Sequence, residues 1–179
     1  MTIDQIPAGN NIPEDIYVII EIPLHSHPIK YEIDKITGAI FVNRFIATPM
    51  FYPCNYGYIN HTLSLDGDPI DVLVPTPYPL LIGSVIHCRP IGMLEMTDES
   101  GEDSKIIAVP DNSVSQEYSA IHDINHLSKL TRNQISHFFK YYKDLESKKW
   151  VEIKAWKHVE DSKIEILNSF KRAKNKHKL

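Results

Sequence analysis

Asp66-Gly67-Asp68-Pro69-Ile70-Asp71 lies between His61-Thr-Leu-Ser-Leu65 and the apolar run Val72-Leu73-Val74. Leu63, Leu65 and the Ile70 to Val74 run read as two strands, so Gly67 and Pro69 would turn the chain between them. Three carboxylates are thereby gathered at one end of a sheet. Like charges held together repel and raise each other's pKa, so three ionised aspartates require a strong cation among them. Oxygen donors with no His or Cys in the motif suit Mg²⁺, Mn²⁺ or Ca²⁺ better than zinc. An EF-hand would place Asp or Asn fifth, Gly sixth and Glu twelfth, where this chain has Ile70, Asp71 and Pro77. A lone Asp-Gly-Asp is an ordinary solvated acidic turn. The third Asp, beside a buried-looking strand, moves the reading towards a metal site and leaves the solvated turn open.

A chain of 179 residues that is 42% hydrophobic can bury one sizeable core, so residues 1-179 are expected to form a single domain. The net charge of -4 gives no general attraction to nucleic acid or acidic membranes, and any phosphate recognition must be local. Cys54 and Cys88 lack a Cys-x-x-Cys pattern and suit a reduced compartment as two buried thiols. Met1 to Asp15 has neither a basic leader nor a long apolar stretch, and no segment is long enough to span a membrane. A cytoplasmic location is the expectation.

Ile16 to Ile22 is a β-branched run ended by Pro23, and Tyr31 to Asp34 and Ala39 to Phe45 continue in extended form around a Thr37-Gly38 turn. Phe51 to Asn60 is aromatic and broken by Pro53, and reads as loop more than strand. Further strands are expected at Ser84 to Cys88, Ile91 to Met96, Lys105 to Val109 and Trp150 to Ala155. Leu127, Leu130, Ile135, Phe138, Phe139, Tyr142 and Leu145 recur at helical spacing and predict one amphipathic helix over roughly residues 128–146. A second helix is expected from near Asp161, with Ile164, Leu167 and Phe170 facing inward. Many short strands followed by two helices make an α+β domain, a small closed or nearly closed sheet flanked by helices. The basic tail Lys171 to Lys178 suits a helix C-terminus fraying into solvent.

In an extended segment Lys30 and Glu32 point to one face, and Arg44 closes the next strand. Each alone is an ordinary cross-strand ion-pairing residue. Tyr52 and Tyr56 bracket Pro53-Cys54-Asn55 as phenol donors or as core cover. The acidic run Asp98 to Lys105 looks, on composition, like a solvated hairpin tip. His25 and His27 read as surface residues, and Trp150 and Trp156 as core. No nucleophile elbow, P-loop or dinucleotide fingerprint is present. Carboxylates for divalent metals with Lys, Arg and Tyr for a polyanion suit metal-assisted phosphoryl transfer to water. A nucleic-acid-binding small barrel, a two-metal phosphodiesterase and a structural calcium domain remain as alternatives.

Asp66-Gly-Asp-Pro-Ile-Asp-Val72 resembles the signature of family I soluble inorganic pyrophosphatases, in the compact bacterial form. The resemblance extends through Pro13-Glu-Asp-Ile-Tyr17, Pro28-Ile-Lys-Tyr-Glu-Ile-Asp34, Phe51-Tyr-Pro-Cys-Asn-Tyr-Gly-Tyr58, Met96-Thr-Asp-Glu99, His137-Phe-Phe139 and Tyr142-Lys-Asp-Leu-Glu146. It implies a five-stranded OB-like β-barrel with flanking strands and two main C-terminal helices. It also implies hydrolysis of pyrophosphate with several Mg²⁺ ions, for which Mn²⁺ or Zn²⁺ would substitute. By the family pattern Asp66, Asp71 and Asp103 would hold the first metal, with Asp71 bridging to the second. Asp98, Asp103 and Glu32 would serve metals arriving with substrate, which makes the acidic hairpin functional. Asp68 would orient and deprotonate the attacking water. Lys30, Arg44, Tyr56, Lys105, Tyr142 and Lys143 would hold the phosphates, and Glu21 and Tyr52 would complete the shell. Bacterial relatives assemble as hexamers through histidines and acids on the first helix. Here His137 and Asp144 are present, Tyr141 stands where some relatives have a second His, and His87 stands where Arg occurs in some relatives.

Overall fold

The computed structural model describes residues 3–176. Nine strands and two α-helices follow in chain order: β1 (Ile16–Ile22), β2 (Ile29–Ile33), β3 (Ile40–Phe45), β4 (Asn55–Ile59), β5 (Asp71–Val74), β6 (Val85–Asp98), β7 (Gly101–Glu102), β8 (Lys105–Pro110), α1 (Lys129–Tyr141), β9 (Val151–Lys157) and α2 (Val159–Lys176). Pairing runs β1 to β4, β5, β8, β6 and back to β1, so five strands make a ring. Only β5 with β8 is parallel, which makes the sheet mixed. β7 and β9 add to β6 outside the ring, and β2 with β3 forms a separate hairpin.

Side chains alternate between two apolar layers with the period of two that an extended chain imposes. Val72 and Val74 of β5, with Ile106 and Ala108 of β8, join a cluster that includes Ile166 of α2. Leu73, Ile107 and Val109 point the other way, into a cluster closed by Ile135, Phe138 and Phe139 of α1. Both cysteines are buried. Burial pushes the Cys54 thiol up to about 12 and Cys88 higher still, so neither is a reactive thiolate near neutral pH.

The structure departs from the sequence expectations at several places. Leu63 and Leu65 form no strand. The Leu63 N–H donates to the Ser169 carbonyl and the Arg172 guanidinium donates to the Leu63 carbonyl, so α2 takes the backbone groups a ladder would use. Phe51 to Asn60 is not a loop throughout, since β4 lies in it fully buried between β1 and β5. Pro53 falls two residues before that strand, where its missing N–H costs no ladder bond. The two strands expected around Pro90 are one, β6, which passes Pro90 with a shift of register against β8 before Gly92. The first helix carries Leu130 on an exposed face of its first turn and ends at Tyr141, short of the exposed Leu145, and the second begins at Val159 with Ile164 exposed and Ile166 inside. Trp150 is half exposed, whereas Trp156 packs on the core. The basic tail continues α2 as far as Lys176, and His177 and Lys178 lie outside the described residues. No described helix is long and apolar enough to cross a membrane.

At Gly57 the backbones of β4 and β1 are so close that a Cβ would run into the Ile19 carbonyl. Gly57→Ala is therefore expected to destabilise the chain by about 1–3 kcal/mol through overpacking. Urea unfolding measures it, and an unchanged midpoint would mean that the two strands have room to spare.

Candidate active site

Asp71 opens β5 and Lys105 opens β8, and the parallel register sets them side by side. By the strand alternation both lie on the face of Leu73 and Ile107, two residues further on, so the polar site continues an apolar layer at the strand ends. The Lys105 ammonium, only 4% exposed, lies 2.5 Å from Asp71 and 2.5 Å from Asp103. The Tyr56 and Phe139 rings stand 5.7 and 5.8 Å from it. Burial alone would discharge this lysine, but the two carboxylates outweigh it and hold its pKa well above the usual lysine value.

The turn Asp66-Gly67-Asp68 delivers the remaining acids of the motif. Asp66 accepts the Asp68 N–H at 3.1 Å, and Gly67 takes a φ of 97°, a conformation that favours glycine. Burial raises the Asp66 carboxyl, and Asp103 and Asp71 raise it further. Asp103 is likewise raised, by burial and by Asp71, against the pull of Lys105. The Asp98 to Lys105 hairpin is solvated only at its tip, since Asp98 and Asp103 are each 9% exposed. Lys143 explains the first of these: its ammonium meets Asp98 at 2.7 Å and Glu99 at 3.2 Å. Burial would raise Asp98, but Lys143 and the Ser100 N–H bring it below the usual carboxylate range.

The β2–β3 hairpin forms another wall. Lys30 and Glu32 pair at 3.0 Å on one face, and burial of Glu32 is outweighed by Lys30, so its pKa is lowered. Ile33 N–H donates to Glu21 of β1 at 2.8 Å. Tyr52 packs against Tyr56 at 5.2 Å and against Phe138 at 4.6 Å between ring centres. Tyr142, which its spacing marked as core, is both: its ring stacks on Phe138 and it lines the site.

A cleft of about 360 Å³ joins these walls. It is lined by all the residues singled out in the sequence: Asp66, Asp68, Asp71, Asp98, Asp103, Glu21, Glu32, Lys30, Arg44, Lys105, Lys143, Tyr52, Tyr56 and Tyr142. Lys35, Tyr58, Glu99 and Lys149 line it too and were missed. Tyr58 and Glu99 lie within the stretches that carry the family resemblance, while Lys35 and Lys149 lie in charged connections with no pattern to mark them.

Oxygen donors around a buried ammonium, faced by further cations and phenols at the end of a mixed sheet, define a phosphoryl-transfer class of protein. The family model for inorganic pyrophosphatase matches residues 18–174. The chain is 64% identical over 176 residues to an inorganic pyrophosphatase of Escherichia coli (strain K12), covering 98% of this chain and 100% of that one. It is 61% identical, with the same coverage, to one of Vibrio cholerae. Among solved structures it matches an inorganic phosphatase from Anaplasma phagocytophilum with a TM-score of 0.93, 45% identity and coverage of 95% and 99%. The inorganic pyrophosphatase from Thermus thermophilus gives a TM-score of 0.90 at 38% identity, over 97% and 99%. The chain belongs to the inorganic pyrophosphatase family.

Glu21 supplies a test of the electrostatics. Burial raises its pKa from 4.5 to about 7, against the Ile33 hydrogen bond and Lys35. A carboxyl held above its unfolded value costs nothing in strong acid, and its cost grows as pH rises from 4.5 to about 7 and stays in full above that. Glu21→Gln, compared with the parent without divalent cations, should gain about 2–3 kcal/mol more stability at about pH 8 than at about pH 5. Equal shifts in the two urea titrations would remove burial as the dominant influence.

Proposed function

We propose that this chain hydrolyses inorganic diphosphate to two orthophosphates, water attacking one phosphorus as the other phosphate leaves. The observation that carries this reading is the sign of the cleft. Eight carboxylates and six basic side chains line it, leaving it two charges negative when all are ionised. A phosphorylated anion would be repelled from such a cleft unless divalent cations were part of the site.

The residues fit such cations by chemistry. Every candidate ligand is a carboxylate oxygen, the donor that Mg²⁺ prefers. Asp66 and Asp103 are raised by burial and mutual repulsion, with Lys105 as the compensating charge. No ready-made cage of three or more His, Cys, Asp or Glu side chains exists among the described residues. Asp71 and Asp103 would therefore be shared between a cation and Lys105. Asp66, Asp71 and Asp103 would hold the first Mg²⁺, with Asp71 shared with a second, and Asp98, Asp103 and Glu32 those arriving with diphosphate. Mn²⁺ or Zn²⁺ would replace Mg²⁺. When bound, such a cation neutralises phosphate charge and can lower the pKa of a water from about 15.7 to about 7.

The chain's own groups do the rest. The Asp68 side chain is exposed and has no hydrogen bond or ion pair among the described residues, which leaves it available to take the proton of the attacking water. Lys30, Arg44, Lys105 and Lys143 bind phosphate oxygens as cations. Burial pushes the Tyr56 and Tyr142 hydroxyls up, so both stay protonated and donate hydrogen bonds. Glu21 holds the hairpin through Ile33, and Tyr52 holds the Tyr56 ring.

The same reading makes residues 1-179 one domain, an OB-like barrel closed by the five-strand ring, working in the cytoplasm as a homohexamer. Exposed His137 and Asp144 on and after α1 support the assembly, beside a groove lined by His25, Met50, Phe51 and Phe138.

Orthophosphate release from diphosphate should require Mg²⁺ and stop on chelation, while a phosphodiester is left intact. Release that survives chelation would overturn the metal assignment. Asp68→Asn should retain divalent-cation binding by calorimetry and lose about 10²–10⁴-fold in turnover, the range expected of a general base. Unchanged turnover would remove Asp68 from that role.

A further inference from the structure

Arg44 is held at one atom. Its Nε–H donates to Glu146 at 3.3 Å from one carboxylate oxygen and lies 3.2 Å from the other, across 102 residues of chain. Its two Nη groups have no partner among the described residues, and the side chain lines the cleft. A guanidinium gripped at Nε keeps its Nη edge free to meet two oxygens of one phosphate side by side.

Glu146 is built into the far wall. Its side chain is 13% exposed, its N–H donates to the Lys143 carbonyl at 2.8 Å, and its carboxylate also meets Lys149 at 2.9 Å. Burial would raise its pKa, but Lys149 and Arg44 lower it, so it is ionised where it faces the guanidinium. Arg44 belongs to the β2–β3 hairpin, which shares no ladder with the ring. Polar links across include Ile33 to Glu21, Lys35 to Glu21 at 4.0 Å and over the Tyr58 ring, Thr48 hydroxyl to the Tyr142 carbonyl at 3.2 Å, and Arg44 to Glu146.

We infer that Glu146 is a positioning residue that aims the free edge of Arg44 at a phosphate and ties that edge to the Tyr142–Lys143 turn. The inference rests on the diphosphate reading above. It places the hairpin's arginine and the turn's lysine in one frame, so that two phosphate-binding cations from separate parts of the chain keep a fixed spacing. Glu146 touches no substrate in this account and acts only through Arg44.

The test is steady-state kinetics on Mg-diphosphate with Glu146→Ala, Glu146→Gln, Arg44→Lys and the Arg44→Lys/Glu146→Ala double variant, with melting temperatures alongside. Glu146→Ala should raise KM about 10-fold while kcat falls less, because ground-state phosphate binding is loosened. Glu146→Gln keeps an oxygen for the Nε–H and should recover most of the loss. In the Arg44→Lys background the alanine change should add less than about 2-fold, since the guanidinium it serves is gone. Unchanged KM in Glu146→Ala, or equal penalties with and without Arg44, would each overturn the inference. Should Glu146→Ala fail to fold, Glu146→Gln with the Arg44→Lys cycle decides alone. A parent that releases no orthophosphate would instead defeat the diphosphate reading, which separates the two failures.

Discussion

Everything polar in this fold is arranged about one buried ammonium between two carboxylates. Lys105 takes its place because β5 and β8 run parallel and begin together, which sets Asp71 beside it, and because the hairpin from β6 returns Asp103 two residues before it. A charge this deep is tolerable only when paired, and removing either partner strands the other in a low dielectric. The arrangement is nevertheless unbalanced. Asp66 adds a further acid to the pair, and its pKa is raised first by burial and then by Asp103 and Asp71. A single positive charge serves three acids, and the surplus is what a hard divalent cation would relieve.

The scaffold converts strand alternation into separation of environments. On β5 and β8 one set of side chains packs under α2 and the other under α1, and only the second set is continued by Asp71 and Lys105 at the strand ends. The apolar layer below gives the site a dry floor, which strengthens each charge above it. The walls are of different origin: α1 with its following turn brings Tyr142 and Lys143, and the separate hairpin brings Lys30, Glu32 and Arg44. Because the hairpin joins the body by side-chain packing of Tyr31 and Ile33 and by polar links, with no shared ladder, its cations owe their placement to side chains more than to backbone.

The site was more legible in the sequence than the fold that builds it. The Asp66 to Asp71 motif stood out by charge next to an apolar strand, whereas Lys30 and Arg44 alone read as cross-strand ion-pairing residues, and the family likeness collected them with the rest into the set that lines the cleft. Composition misread the acidic hairpin, because burial of Asp98 depends on Lys143, forty-five residues away. Strand assignment failed where tertiary contacts decide. Leu63 has the look of a strand residue, yet α2 supplies its hydrogen-bond partners from more than a hundred residues further on. β4 was hidden by Pro53 and by aromatics that looked like loop cover, and its burial comes wholly from flanking strands. Leu130 and Leu145 obeyed helical spacing but lie outside the face that β9 and the core cover, since periodicity marks a stripe and not its ends.

The charge pattern also separates the readings that composition left standing. A small barrel that binds nucleic-acid strands uses a basic groove, and this cleft has more acids than bases. A structural calcium site needs oxygen donors and has no use for six basic side chains around them. Acids and bases together suit an anion that arrives with cations, and the two kinds are segregated in origin: ring and β6 hairpin supply most of the acids, while Lys30, Arg44 and Lys143 come from the outer walls. Such segregation would let carboxylates turn to a metal and ammonium and guanidinium groups to phosphate, although Lys30 meets Glu32 and Lys143 meets Asp98 and Glu99. Lys105 and Lys143 are each committed to two acids at once, and a cation that took a share of Asp71 or Asp103 would free the Lys105 ammonium towards a phosphate. On the diphosphate reading, metal binding and substrate binding would be linked through one lysine, since a divalent cation would cancel the two surplus negative charges and release a donor in the same step.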